Sequence, residues 1–80
     1  MKLSVFSLKN ILFQGEAKLL NCKTVLGEIT VLDNHETLIA VLSSGVIRIV
    51  DNQEKEHFFP VKSGFLEVKP NNEARCIVEQ

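Results

Sequence analysis

The sequence has no block of basic residues. Nine Lys and Arg and ten Asp and Glu are scattered along 80 residues, for a net charge of −1. The electrostatic footprint of a nucleic-acid binder is therefore missing. No apolar run approaches the ~20 residues that a helix needs to cross a bilayer. The first ten residues do not read as a secretory signal, because Ser4, Ser7, Lys9 and Asn10 interrupt the apolar stretch and no small-residue cleavage site follows. Only two cysteines occur, Cys22 and Cys76, without framework spacing. They read as packed thiols in a soluble protein of a reducing compartment rather than as a bridge. The four glycines stand singly, so there is no phosphate-cradling loop. No amphipathic stripe of three helical turns is present, and there is no internal repeat or low-complexity segment.

What is there is apolar and strand-forming. With 45% hydrophobic and 24% charged residues, the composition is that of one ordinary globular domain spanning 1–80. A chain of this size buries roughly 60–70% of the surface it exposes when unfolded, so its inward positions must be apolar. The organising stretch is Gly27 to Leu42. Two apolar runs flank Asp33, Asn34, His35 and Glu36, which no strand would bury together. Strand, exposed corner, strand is the expected arrangement.

The remainder reads as sheet built around that pair. Lys2–Leu8 opens it, with Leu3 and Val5 on one face. Ile11–Phe13 forms a second short run, closed by Gln14-Gly15. Glu16–Lys23 forms a third, with Ala17 and Leu19 on one face and Leu20 and Cys22 on the other; helix competes over Glu16–Leu20. Val46–Val50 is β-branched except for Arg48, a strong strand signal. Lys55–Val61 returns from the Asp51–Glu54 loop and contains Pro60, which belongs at a sheet edge or a bulge. Phe65–Lys69 turns Leu66 and Val68 inward, and Ala74, Cys76 and Val78 share a face of the last strand. The fold class is all-β: an antiparallel β-sandwich or flattened barrel of about eight to ten short strands.

Chemistry-bearing residues are few. His35 sits beside Asp33 and Glu36, but a zinc site needs three or four convergent ligands, and His57, Cys22 and Cys76 show no paired spacing. A solvated corner or contact residue is the expected role for His35. Cys22 with a histidine lacks an oxyanion motif, and Ser43-Ser44-Gly45 and Ser63-Gly64 are turns rather than nucleophile elbows. Phe58-Phe59 has no basic groove beside it for stacking bases. On its residues alone the chain reads as a small non-enzyme without metal or cofactor, working by contact with other proteins.

Several segments taken in order carry a resemblance. Leu12-Phe13-Gln14-Gly15-Glu16, Gly27-Glu28, Leu32, His35 with Leu38–Leu42, Gly45–Ile49, Phe58–Val61 and Ser63–Val68 track the N-terminal β-sandwich domain of the epsilon subunit of F-type ATP synthases, called delta in mitochondria. Over nearly its whole length the chain resembles that domain. The family's Pro-Gly pair before the histidine is here Asp33-Asn34, and the proline after it is Thr37. Asp and Asn tolerate tight turns, so a corner is still expected. The two helices that follow the sandwich in most members have no counterpart before Gln80. A short form is expected, naturally so or cut after the sandwich, without ATP binding or an extended inhibitory state.

The resemblance implies a non-catalytic central-stalk part, peripheral at the cytoplasmic face of the cell membrane. One face would pack on the gamma subunit, and loops would rest on the c-ring, with the catalytic alpha/beta head engaged indirectly. By the same resemblance the contact residues would be Leu26, Gly27, Glu28, Asp33, Asn34, His35 and Glu36. Two other readings stand beside it: an unrelated β-sandwich module binding a protein or ligand, and, more weakly, a small hydrolase using Cys22 or His35.

Overall fold

A computed structural model describes residues Met1–Gln80, and every regular element in it is a strand. The eight strands are β1 (Lys2–Phe6), β2 (Ile11–Thr24), β3 (Gly27–Leu32), β4 (Leu38–Leu42), β5 (Gly45–Asp51), β6 (Glu56–Val61), β7 (Ser63–Lys69) and β8 (Glu73–Glu79). The expected strand, corner, strand arrangement of 27–42 is present as β3, the 33–37 loop and β4. The helix considered for Glu16–Leu20 does not form; those residues lie inside β2.

The largest departure from the sequence reading is β2. The two runs separated by Gln14-Gly15 are one continuous 14-residue strand. A glycine inside a strand marks a bend as readily as an end, and here the strand passes from one layer to the other. Its first part, Ile11–Glu16, pairs with β1. Its second part runs between β3 and β5. A register shift between Ala17 and Leu19 makes Lys18 the extra residue of a bulge. That bulge corrects the expected facing: Ala17 and Leu20, assigned to opposite faces, are both fully buried.

Two layers result. One runs β2–β1–β8–β7–β4 and uses the first part of β2. The other runs β3–β2–β5–β6 and uses the second part. They meet where Thr24 of β2 pairs with Leu42 of β4. The expected β-sandwich is formed, with one departure in detail: β1 and β8 pair in parallel, so the sheet is mixed. Pro60 lies in β6, which pairs with β5 alone; as an edge position it costs no ladder hydrogen bond.

The core fills the gap between the layers. Leu3, Val5, Leu66, Cys76 and Val78 come from the first layer, and Leu20, Cys22, Val31, Ile47 and Ile49 from the second. Full burial of each large aliphatic side chain contributes about 1.5–3 kcal/mol. The inward positions read for β1, β7 and β8 hold. Both cysteines are free and buried, as read. Gly64 is required by packing: a Cβ there would stand 2.3 Å from the carbonyl oxygen of Ile77 on the adjacent strand.

Candidate functional site

Three surface features stand out, and the strands determine where each lies. The first is the outer face of the β2–β1–β8–β7–β4 layer. Side chains alternate across a strand, so burying Leu66, Val68, Cys76, Leu3 and Val5 turns their neighbours outward. The registers then align one outward residue from each strand: Val41 opposite Phe65, Phe65 opposite Ile77, Ile77 opposite Phe6, and Phe6 opposite Ile11. This row is uncharged and crosses five strands, roughly 19 Å at the usual strand spacing. Ile39, 76% exposed, extends it. Beside it, Arg75 Nη2 donates to Glu67 Oε1 at 2.7 Å, leaving that pair neutral. A shallow depression of about 220 Å³ lies between Ile39, Phe65, Glu67, Arg75 and Ile77. Contiguous exposed apolar surface of this kind marks interaction sites.

The second feature is the β2–β3 turn with Leu26, Gly27 and Glu28. Thr24 builds it: its Oγ1 donates to the Gly27 carbonyl at 2.7 Å and accepts from the Leu26 amide at 3.1 Å. Gly27 has φ +129°, which side chains of L residues rarely adopt. Leu26 points into solvent and is 96% exposed.

The third is the corner Asp33, Asn34, His35 and Glu36. Asn34 adopts a left-handed φ of 60°, which asparagine tolerates. The corner is held from other parts of the chain. The Asn34 amide donates to Asn72 Oδ1 at 2.7 Å, and Asn72 Nδ2 donates to Asp33 Oδ1 at 3.3 Å. The Met1 ammonium donates to the same Asp33 oxygen. That ammonium, followed by the Asn72 amide, holds the Asp33 carboxyl below the usual carboxylate range. His35 Nδ1 lies 2.8 Å from the Glu36 carbonyl oxygen.

The seven residues singled out in the sequence thus form two groups. Leu26, Gly27 and Glu28 lie at one end of β3, and Asp33, Asn34, His35 and Glu36 beyond the other. Four residues of β3, Ile29–Leu32, separate them, roughly 17 Å from Glu28 to Asp33 at the usual strand rise. The sequence reading missed Asn72, which stands 38 positions from the corner amide it binds. It also missed the apolar row; the only available signal was the outward member of each alternating strand.

The remaining chemistry is structural. Asp51 Oδ1 accepts from the amides of Gln53 at 2.8 Å and Lys55 at 3.0 Å, and Oδ2 meets His57 Nε2 at 2.9 Å. The His57 hydrogen bond, followed by the Lys55 amide, lowers the Asp51 pKa. Burial pushes the Cys22 thiol up to about 11, with the Glu28 charge adding to it, and the Cys76 thiol up to about 12. Such thiols stay protonated at neutral pH and are poor nucleophiles. Cys22 lies in the core and His35 in the corner beyond β3, so they make no pair. No group of three or more His, Cys, Asp or Glu is gathered closely enough to hold a metal ion. The largest concavity, about 360 Å³ between the Ser7–Asn10 turn and Val78–Gln80, has Lys9 and Glu79 as its only ionisable lining side chains. No helix is long and apolar enough to cross a membrane.

Fold and surface together define a small β-sandwich with an apolar strip across all five strands of one outer face and two separate loop features at the ends of β3. Residues 1–79 match the family described as ATP synthase, Delta/Epsilon chain, beta-sandwich domain, and the chain belongs to that family. It is 34% identical over 71 residues, 89% of its length, to the ATP synthase epsilon chain of Hydrogenovibrio crunogenus. Against that of Alkalilimnicola ehrlichii it is 31% identical over 71 residues. The chain spans about half the length of these relatives, 49% and 51% respectively. Among solved structures, a chain of the Euglena gracilis mitochondrial ATP synthase (OSCP/F1/c-ring) superposes with a TM-score of 0.92 at 18% identity, over 100% of this chain and 51% of that one. A chain from the Tetrahymena thermophila mitochondrial ATP synthase central stalk and c-ring gives 0.84 at 14% identity, over 100% of this chain and 63% of that one. At these identities the likeness is one of fold. Family membership sets aside the unrelated sandwich module.

Proposed function

We propose that the chain is the sandwich part of a non-catalytic rotor subunit of an F-type ATP synthase, coupling ion flow to ATP synthesis or hydrolysis. It packs on the gamma subunit, touches the c-ring and reaches the catalytic head through gamma. It is peripheral to the membrane. Because the chain covers about half the length of its epsilon relatives, this role is assigned to the sandwich alone.

One observation carries the reading: the uncharged row Val41, Phe65, Ile77, Phe6 and Ile11 on a single outer face. An apolar strip of this length suits a large partner surface, and gamma is the partner that the family supplies. Leu26, Gly27, Glu28, Asp33, Asn34, His35 and Glu36 remain the proposed gamma and c-ring contacts. Lying at the two ends of β3, they serve as two contacts rather than one loop, so that a partner is gripped at separated points. A sandwich suits torque transmission because its paired ladders resist shear and leave few open edges.

The test is retention of the purified chain on immobilised gamma subunit and on a gamma–c-ring complex. Retention on both is expected. Passage through both columns without delay would contradict the role.

A further inference from the structure

We infer that Asn72 is a positioning residue for the Asp33–Glu36 corner, fixing its shape for the partner from the opposite side of the corner. The contact part of this inference rests on the role proposed above; the positioning part does not.

The corner has little to hold it locally. Asp33 and Asn34 replace the Pro-Gly pair that the family's pattern carries, so the stiffness of a proline ring is absent. Asn34 stands at a left-handed φ of 60°, and an asparagine reaches that region without being confined to it. What confines Asn34 is the amide side chain of Asn72 from the β7–β8 turn, while the Met1 ammonium also holds Asp33. One end of that side chain accepts the Asn34 N–H at 2.7 Å, and the other donates to Asp33 Oδ1 at 3.3 Å. A single planar group thus reads both residues of the corner, an acceptor against the backbone and a donor against the carboxylate. The turn that carries it is itself anchored, because the Lys2 amide donates to the Asn72 carbonyl at 2.9 Å. An aliphatic side chain offers neither group, and a hydroxyl carries its donor and acceptor on one atom instead of at the two ends of a planar amide.

The adjacent residue supplies the control. Asn71 and Asn72 are both left-handed, with φ 67° and 59°. A glycine at either position relieves backbone strain in the same direction, but only Asn72 contacts the corner through its side chain. Asn72→Gly and Asn71→Gly therefore differ in the corner contact and little else.

Three readouts are compared in the full chain: thermal midpoint, amide exchange of Asn34 by NMR, and affinity for purified gamma–c-ring complex. Asn72→Gly is expected to leave the midpoint within about 4 °C while Asn34 exchanges roughly tenfold faster, the scale of one lost hydrogen bond, and rotor affinity falls by a similar factor. Asn71→Gly is expected to change none of the three beyond a small shift in midpoint. Asn72→Asp alone sets a second carboxylate against Asp33 and is expected to loosen the corner. Asp33→Asn combined with Asn72→Asp exchanges donor and acceptor between the two side chains at the loss of the Met1 ammonium's carboxylate, and is expected to slow Asn34 exchange relative to Asn72→Asp alone. Unchanged Asn34 exchange in Asn72→Gly, or equal loosening by Asn71→Gly, would overturn the positioning role. Failure of the unaltered chain to bind the complex would overturn the coupling role and the contact claim, with the exchange comparison still deciding the positioning.

Discussion

Phe65 and Phe58 are equally exposed, 57% each, and lie on opposite outer faces of the sandwich. Around Phe65 the cross-strand neighbours are Val41 and Ile77. Around Phe58 the row is Thr30, Asn21, Arg48 and Phe58 itself. On that second face Asn21 Nδ2 donates to Glu28 at 2.9 Å and to Thr30 at 3.0 Å, and Arg48 Nε donates to Glu56 at 2.6 Å. The row through Phe58 is thus tied together by polar side chains that prefer water, with a shorter apolar row, Leu32, Leu19 and Val50, beside it, whereas the first face offers an apolar strip across all five of its strands. An exposed aromatic is by itself no mark of an interface; its alignment with uncharged neighbours on adjacent strands is.

Two glycines give the comparison its largest expected effect. Gly64 belongs to the layer with the apolar face, and a Cβ there would meet backbone at 2.3 Å. Gly64→Ala should cost about 3 kcal/mol or more by urea unfolding, since neither strand can yield cheaply. Gly45 belongs to the other layer, and a Cβ there would meet only the flexible Lys23 side chain, at 2.9 Å from Cδ. Gly45→Ala should cost less than about 1 kcal/mol, and equal losses would erase this contrast between the layers.

A smaller effect is expected at Thr24, where the two layers meet. Thr24→Val keeps the shape but removes the hydroxyl shared by Leu26 and Gly27. About 1–2 kcal/mol should be lost, with faster amide exchange confined to the β2–β3 turn. Exchange spreading to the corner would mean that the two ends of β3 are not independent.

Acid should separate those ends further. The pKa values of Asp33 and Asp51 are lowered by their partners in the folded chain. A lowered folded pKa means stabilisation that is present above the unfolded value, about 3.9, and is lost as pH falls through the folded one. As pH falls below about 3.9, the corner and the Asp51–Lys55 loop should therefore lose protection before the β2–β3 turn, which is built on the Thr24 hydroxyl. Simultaneous loss, followed by amide exchange, would count against this.

Much of the fold was legible in the sequence because alternation and β-branching report local geometry. Val46–Val50 showed itself as a strand, Phe65–Lys69 and Ala74–Val78 showed their inward faces, and Pro60 pointed to an edge or a bulge, of which the edge is the one found. β2 was misread because Gly15 looks like a terminator and because the Lys18 bulge shifts the facing without any residue that marks it. The polar character of Asp33–Glu36 was plain, but its clamp was not, since Asn72 approaches only through the folded β7–β8 turn. The apolar row was hidden for the same reason. Each strand contributes one outward apolar residue, and only the strand order shows that the five line up.

The central claim is that the apolar face is the docking surface for gamma. The most direct measurement is the affinity for purified gamma of two matched variants, Phe65→Arg and Phe58→Arg, each checked for an unchanged thermal midpoint. Phe65→Arg should weaken binding roughly thirtyfold or more, as the loss of a central interface aromatic does, while Phe58→Arg stays within about twofold. Equal affinity for the two variants, or the larger loss at Phe58, would contradict it.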